Sequence, residues 1–217
     1  MRIRDLISNF WGYRVKKVHS PLNGILEVWY ISGRYQLDSD NSNYSFGSLH
    51  QMFKQVFGKI NLIERNPENL LLLGLGAGSV VSIIRDELKM LTKIKGVEHD
   101  EMVLQLAREY FDIGRFSGLT IVHEDAAGYM TLDGEKFDCI VVDLFRDQDV
   151  PEKFIQFSFL SNCFQHLSEG GLLIFNFIVL TKKQKKRFEE LKLIIGSLGR
   201  EFRVLDVFGT NKVIVVE

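Results

Sequence analysis

The chain has 217 residues, 46% of them hydrophobic and 25% charged, which is enough for one substantial core and a small appendage. A formal net charge of -1 gives no overall pull toward nucleic acid or an acidic membrane surface, so neither is expected as a partner. The two cysteines, Cys139 and Cys163, lie in apolar segments with no cysteine or histidine at metal-ligand spacing, which predicts packing thiols in a reduced cytoplasm and no metal.

The first twenty residues, MRIRDLISNFWGYRVKKVHS, scatter charge through any apolar run and do not read as a secretory leader. Tyr13 to His19, Ile25 to Ile31 and Arg34 to Leu37 are rich in β-branched and aromatic residues and are punctuated by Pro21, Gly24 and Gly33. They predict a small antiparallel β unit. Asp38 to Ser48, DSDNSNYSFGS, is polar and turn-prone and predicts a linker. The expected division is therefore a β unit with its linker over 1–45 and a main domain over 46–217.

From Ser48 to about Lys59, Leu49, Met52, Phe53, Val56 and Phe57 recur at helical spacing. An alternation follows: an apolar run at Asn69 to Leu73, a helix from about Ser79 to Lys89, and a strand from Lys93 to Val97. It continues with a helix near Glu101 to Tyr110, strands at Leu119 to Val122 and Phe137 to Val142, a helix near Lys153 to His166 and a strand at Leu172 to Phe177. Such alternation predicts a mainly parallel sheet covered on both faces. The longest apolar run, Leu172 to Leu180 with Asn176 inside it, is too short to cross a bilayer. A charged helix from Lys182 to about Leu198 then precedes two extended runs, Phe202 to Phe208 and Lys212 to Val216, whose short connection demands antiparallel pairing. This layout, an α/β Rossmann-like sheet closed by an antiparallel C-terminal hairpin, is that of the class I methyltransferase fold.

Four signals carry chemistry. In LLLLGLGAGS, Leu70 to Ser79, a strand ends in Gly74, Gly76 and Gly78, where missing Cβ atoms allow close ligand approach and the helix start is expected to offer free N–H groups. Ser79 stands where the dinucleotide fingerprint wants glycine, which tilts the reading away from NAD. Glu98 ends the next strand about 20 residues on, where a carboxylate can accept both ribose hydroxyls. Asp125, in HEDA, lies at the carboxyl edge of the sheet and suits either an adenine amino group or a helix N-cap; His123 beside it reads as structural. Asp143 ends the strand Phe137 to Val142 and points into the same crevice.

The order of glycine loop, GVEHD, EDA, VVDLF and PEKFIQFSFLSNCFQHLSEGG resembles the spermidine synthase family and its methyltransferase-fold relatives, over roughly Leu37 to Phe177. The resemblance implies a transferase using S-adenosylmethionine or its decarboxylated form, with a small-molecule acceptor and no metal; a homodimer is an open option. It places Gly74, Leu75, Gly76 and Gly78 under the donor, Glu98 at the ribose, His99 among the donor-binding residues, and Asp125 with Ala126 at the adenine. Asp143 matches the family's catalytic aspartate, and an amine with a pKa near 10 needs such a base before it can attack at neutral pH.

Three positions depart from the family. Ala77 stands where an aspartate holds the donor's aminopropyl ammonium, Arg146 replaces the second carboxylate of a D-x-x-D pair, and Ser42 falls where a glutamine is usual. Arg146 would repel a dication and suit an acidic group on the acceptor, while Asp147 and Asp149 are candidate replacements for the lost carboxylate. The leading expectation is methyl transfer to a small acceptor. The alternatives are polyamine aminopropyl transfer and a catalytically silent nucleoside-binding protein. The KKQKKR run, Lys182 to Arg187, reads as a solvated face above inward Phe188, Leu191 and Ile194.

Overall fold

In the computed structural model, which describes residues 12–39, 43–132 and 134–217, the chain opens with an antiparallel meander of four strands. These are β1 Tyr13–Ser20, β2 Gly24–Ile31, β3 Arg34–Ser39 and β4 Asn43–Ser45. Leu26, Val28 and Leu37 are fully buried and join one apolar cluster with Met52, Phe53 and Val56 of the helix that follows, α1 Gly47–Lys59. The polar segment expected as a linker is thus partly a strand, with Leu37 opposite Ser45 and Asp38 opposite Asn43. Its polarity misleads because Ser45 is 1% exposed and bonded to the glycine loop. Ser42 and most of the N-terminal stretch, Met1 to Trp11, lie outside the described residues.

After a short helix, α2 Leu62–Arg65, the chain builds the main sheet: β5 Asn69–Leu73, β6 Lys93–Glu98, β7 Leu119–His123, β8 Phe137–Val142, β9 Leu167–Ile178, β10 Phe202–Val207 and β11 Asn211–Val216. The spatial order is β10-β11-β9-β8-β5-β6-β7. Pairs from β7 across to β9 are parallel, and β11 runs antiparallel between β9 and β10. Leu70 to Leu73 have no exposed surface because helices cover both faces. The chain winds outward from β5 to β7 and then returns to the other side of β5 for β8. That reversal opens a crevice at the carboxyl ends of β5 and β8, where Gly74 and Asp143 follow.

The helices match the sequence pattern with local differences. Helix α3, Ser79–Ser82, passes into a π-helical turn, Ile83–Glu87. Next come α4 Glu101–Tyr110 and the single turn α5 Ala126–Tyr129. The helix expected from Lys153 divides into a 3₁₀ turn, Glu152–Ile155, and α6 Phe157–Gln165. Helix α7, Lys182–Ser197, starts with a capping box between Thr181 and Gln184. Gln184 is 5% exposed, so the basic run is not wholly a solvated face. No helix among the described residues is long and apolar enough to cross a membrane.

The two sheets are fastened together. Ser20 Oγ and Asn23 Nδ2 both donate to Asp100 Oδ2, the latter at 2.7 Å, while Asp100 Oδ1 caps α4 by accepting from Met102 N at 2.9 Å. The Tyr35 ring adds edge contacts with Tyr110 and Phe111. Asp100 is 2% exposed, and three donors satisfy the buried carboxylate.

Candidate active site

Gly74 shows why the crevice needs glycine. Its φ is +92°, and a Cβ would lie 2.1 Å from the Asp143 carbonyl oxygen, so the ends of β5 and β8 touch through backbone alone. The loop that follows turns its own amides inward. Gly74 N and Leu75 N both donate to Val97 O at 3.0 Å, Gly76 N to Glu98 Oε2 at 2.9 Å, Ala77 N to Ser45 Oγ at 3.2 Å, and Gly78 N to Leu75 O at 3.1 Å. These amides are spent inside the protein, because Glu98 from β6 and Ser45 from β4 reach over the loop. From Gly74 to Gly78 the loop is a floor whose amides already have partners.

Two hollows of about 590 and 860 Å³ open on this floor and share Gly74, Glu98, Asp143 and Phe145. The larger takes in His99, Asp100, Asp125, Ala126, Arg146 and Lys153, and the β1–β2 turn adds Leu22 and Asn23 as a wall. The smaller takes in Leu75, Gly76, Ser45, Ser79, Asp147 and Asn176, with Leu49, Val80 and Ile178 supplying apolar surface. Among the described residues, no lysine or arginine lines the smaller hollow.

The carboxylates have distinct environments. Glu98 is 5% exposed, and burial raises its proton affinity against the opposing Asp100 and Gly76 amides. Burial also raises Asp125, but the Lys153 ammonium and the Ala127 N–H outweigh it and leave that carboxyl below the usual range. Asp125 therefore acts as the N-cap of α5 while facing the larger hollow. Asp143 lies at the wall between the hollows, where burial and, to a lesser degree, Glu98 push its pKa to about 7 against a hydrogen bond from Asn176 Nδ2 at 2.9 Å.

The loop after Asp143 separates the residues that sequence alone left ambiguous. Arg146 and Asp149 bond through their backbones in both directions, N to O at 2.8 and 3.1 Å, closing a turn with Asp147 at φ +55°. That turn puts Asp147 in the smaller hollow and Arg146 in the larger. Asp149 accepts from Gln184 Nε2 at 2.9 Å and lines neither hollow. His123 bonds the His99 carbonyl at 3.0 Å and pairs with Glu101. Both cysteines are fully buried, and burial pushes the Cys139 thiol to about 12 and the Cys163 thiol up as well. Among the described residues no three His, Cys, Asp or Glu gather as metal ligands.

Several lining residues escaped the sequence reading. Asn176 is 0% exposed in a central strand, and a lone amide inside an apolar run was its signal. Lys153 and Ser45 carry no comparable mark. The Ser45–Ser79 hydroxyl contact, 2.9 Å, joins elements 34 residues apart.

The spermine/spermidine synthase domain model matches residues 50–197. A probable polyamine aminopropyl transferase of Bifidobacterium longum is 27% identical over 198 residues, covering 87% of this chain and 43% of that protein. The polyamine aminopropyltransferase of Vibrio vulnificus is 34% identical over 139 residues, 63% of this chain and 46% of that protein. The chain thus spans a little under half the length of these curated relatives. Among solved structures, a probable spermidine synthase from Corynebacterium glutamicum superposes with a TM-score of 0.73 at 17% identity, over 94% of this chain and 78% of that one. Human methyltransferase-like protein 13, in complex with SAH, gives 0.64 at 21% identity over 79% and 82%. The structural likenesses establish the fold, a Rossmann-like sheet with an antiparallel N-terminal sheet beside it.

Proposed function

This chain belongs to the spermine/spermidine synthase domain family, and from that premise we propose that it transfers an aminopropyl group from an adenosyl sulfonium donor to a small amine. The sequence alone leads with methyl transfer. The names of the relatives favour the aminopropyl alternative, and so does the lining of the smaller hollow, which among the described residues has Asp143 and Asp147 but no lysine or arginine. The single observation that carries the reading is Asp143, a carboxylate with a pKa of about 7 that borders both hollows.

The residues fit such a donor. Glu98 and His99 face the ribose position, and Asp125 with Ala126 faces the adenine position. Gly74, Leu75 and Gly76 form the floor, whereas Gly78 lines neither hollow and owes its glycine to Ile113, whose Cδ1 would lie 2.2 Å from a Cβ there. When bound, the donor supplies an electrophilic carbon whose bond to sulfur breaks as the amine nitrogen attacks, leaving a neutral thioether. Asp143 removes the proton that makes the nitrogen unreactive. Asp147 holds a second ammonium in the smaller hollow, one position beyond the place that Arg146 occupies in the family pattern. Arg146, in the larger hollow, does not face that cation.

Ala77, 1% exposed and without a carboxylate for the donor's ammonium, is the observation that favours methyl transfer as a second reading. Calorimetric titration with S-adenosylmethionine, its decarboxylated form and methylthioadenosine, followed by turnover with putrescine, separates the two. We expect the decarboxylated donor to bind and putrescine to be consumed with release of methylthioadenosine. Binding of the carboxylated donor alone would replace this reading with methyl transfer.

A further inference from the structure

Asn176 sits in β9 between Phe175 and Phe177, all three at most 1% exposed. A buried amide in such a place is retained only when its donors and acceptor are used. Both ends of this one are. Its Nδ2 donates to Asp143 Oδ1 at 2.9 Å, and its Oδ1 accepts from Asn211 Nδ2 at 3.1 Å. Asn211 opens β11 opposite Ile178, so it is the diagonal neighbour of Asn176 on the same face of the sheet. The Thr210 hydroxyl approaches Asn211 Oδ1 at 3.4 Å.

The order of these bonds has a direction. Asn211 presents N–H groups, so the carbonyl end of Asn176 must face it, and the NH₂ end is left for Asp143. A rotated Asn176 would set its carbonyl against the carboxylate and an amine against an amine. Among the described residues Asn176 is the one side chain that donates to the Asp143 carboxylate. Of the other groups around Asp143, Glu98 on β6 raises its proton affinity, Asp147 and Arg146 sit on its own loop, and His99, Asp100, Glu124 and the Asp125–Lys153 pair lie across the larger hollow. β5 contributes only Gly74.

We propose that Asn176 is a positioning residue for Asp143, held in its donating orientation by Asn211, so that the antiparallel strand β11 reaches the reacting carboxylate through two amides. The proposal rests on the reading of Asp143 as the base, but its test does not need turnover. In the full chain labelled with carboxyl-¹³C aspartate and free of ligand, the Asp143 resonance is assigned by its loss in Asp143→Asn and titrated by NMR. Losing a donor that favours the charged form raises the midpoint.

Asn176→Ala is expected to raise it by about one unit or more, the usual effect of a hydrogen bond to a charged group. Asn211→Ala frees the Asn176 amide to rotate and is expected to give a smaller shift in the same direction. A purely structural role lowers the melting temperature and leaves the Asp143 midpoint in place. An unmoved midpoint in folded Asn176→Ala overturns the proposal; if that variant does not fold, an unmoved midpoint in Asn211→Ala does so. A shifted midpoint in a chain that transfers nothing would keep the relay and reject the transferase reading.

Discussion

At the scale of single residues, Asp143 carries opposing demands. Its raised pKa, about 7, means that the folded chain binds this proton more tightly than the unfolded chain does. Its contribution is therefore present at low pH and is lost as pH rises through the folded value, so ionising the base costs stability where the base becomes useful. Asp143→Asn should melt no lower than wild type at pH 8, while the transfer rate falls about 10²- to 10⁴-fold. Thermal melts and single-turnover kinetics check the two halves, and an unchanged rate would remove Asp143 from the chemistry. Asp143, Glu98 and Asp125 were legible because strand ends at the carboxyl edge announce themselves as apolar runs that stop at an acid. The direction of Asp147 was not, since it depends on a left-handed backbone that an aspartate tolerates without any mark in the pattern. Nor was Asn176, whose partner Asn211 is 35 residues away.

At the scale of elements, the turn carrying Asp147 depends on helix α7. Gln184 Nε2 donates to Gln148 O at 3.0 Å and to Asp149 Oδ1 at 2.9 Å, while its Oε1 accepts from Leu180 N and Thr181 N. Arg187 also bonds the Val150 carbonyl. Gln184→Leu keeps a similar volume and removes the fastening. We expect the KM for putrescine to rise about threefold to tenfold, the worth of one or two hydrogen bonds, with the donor Kd unchanged. A lower melting temperature with both constants intact would make Gln184 structural only. Most elements were legible from periodicity, including the C-terminal hairpin. β4 was hidden by its polar composition, and Gln184 by four lysines around it that do point to solvent.

At the scale of the whole molecule, the N-terminal meander supplies part of the site, through Ser45 on the loop and Leu22 and Asn23 on the larger hollow. The fastening of Ser20 and Asn23 to Asp100 links that wall to the helix following Glu98. The glycine loop has a consequence of another kind. With the amides from Gly74 to Gly78 already bonded and Glu98, Asp143 and Asp147 close by, a phosphate arriving at the loop would find none of those amides to hold it and would meet carboxylates. Adenosine alone does not distinguish a scarce sulfonium compound from the far more abundant coenzymes that share it. ATP and NAD, added in large excess during calorimetry, should leave donor affinity unaltered, and displacement by either would show the loop to be open after all. Insulation from the commonest adenosine compounds in a cell would then follow from backbone bonds that touch no ligand.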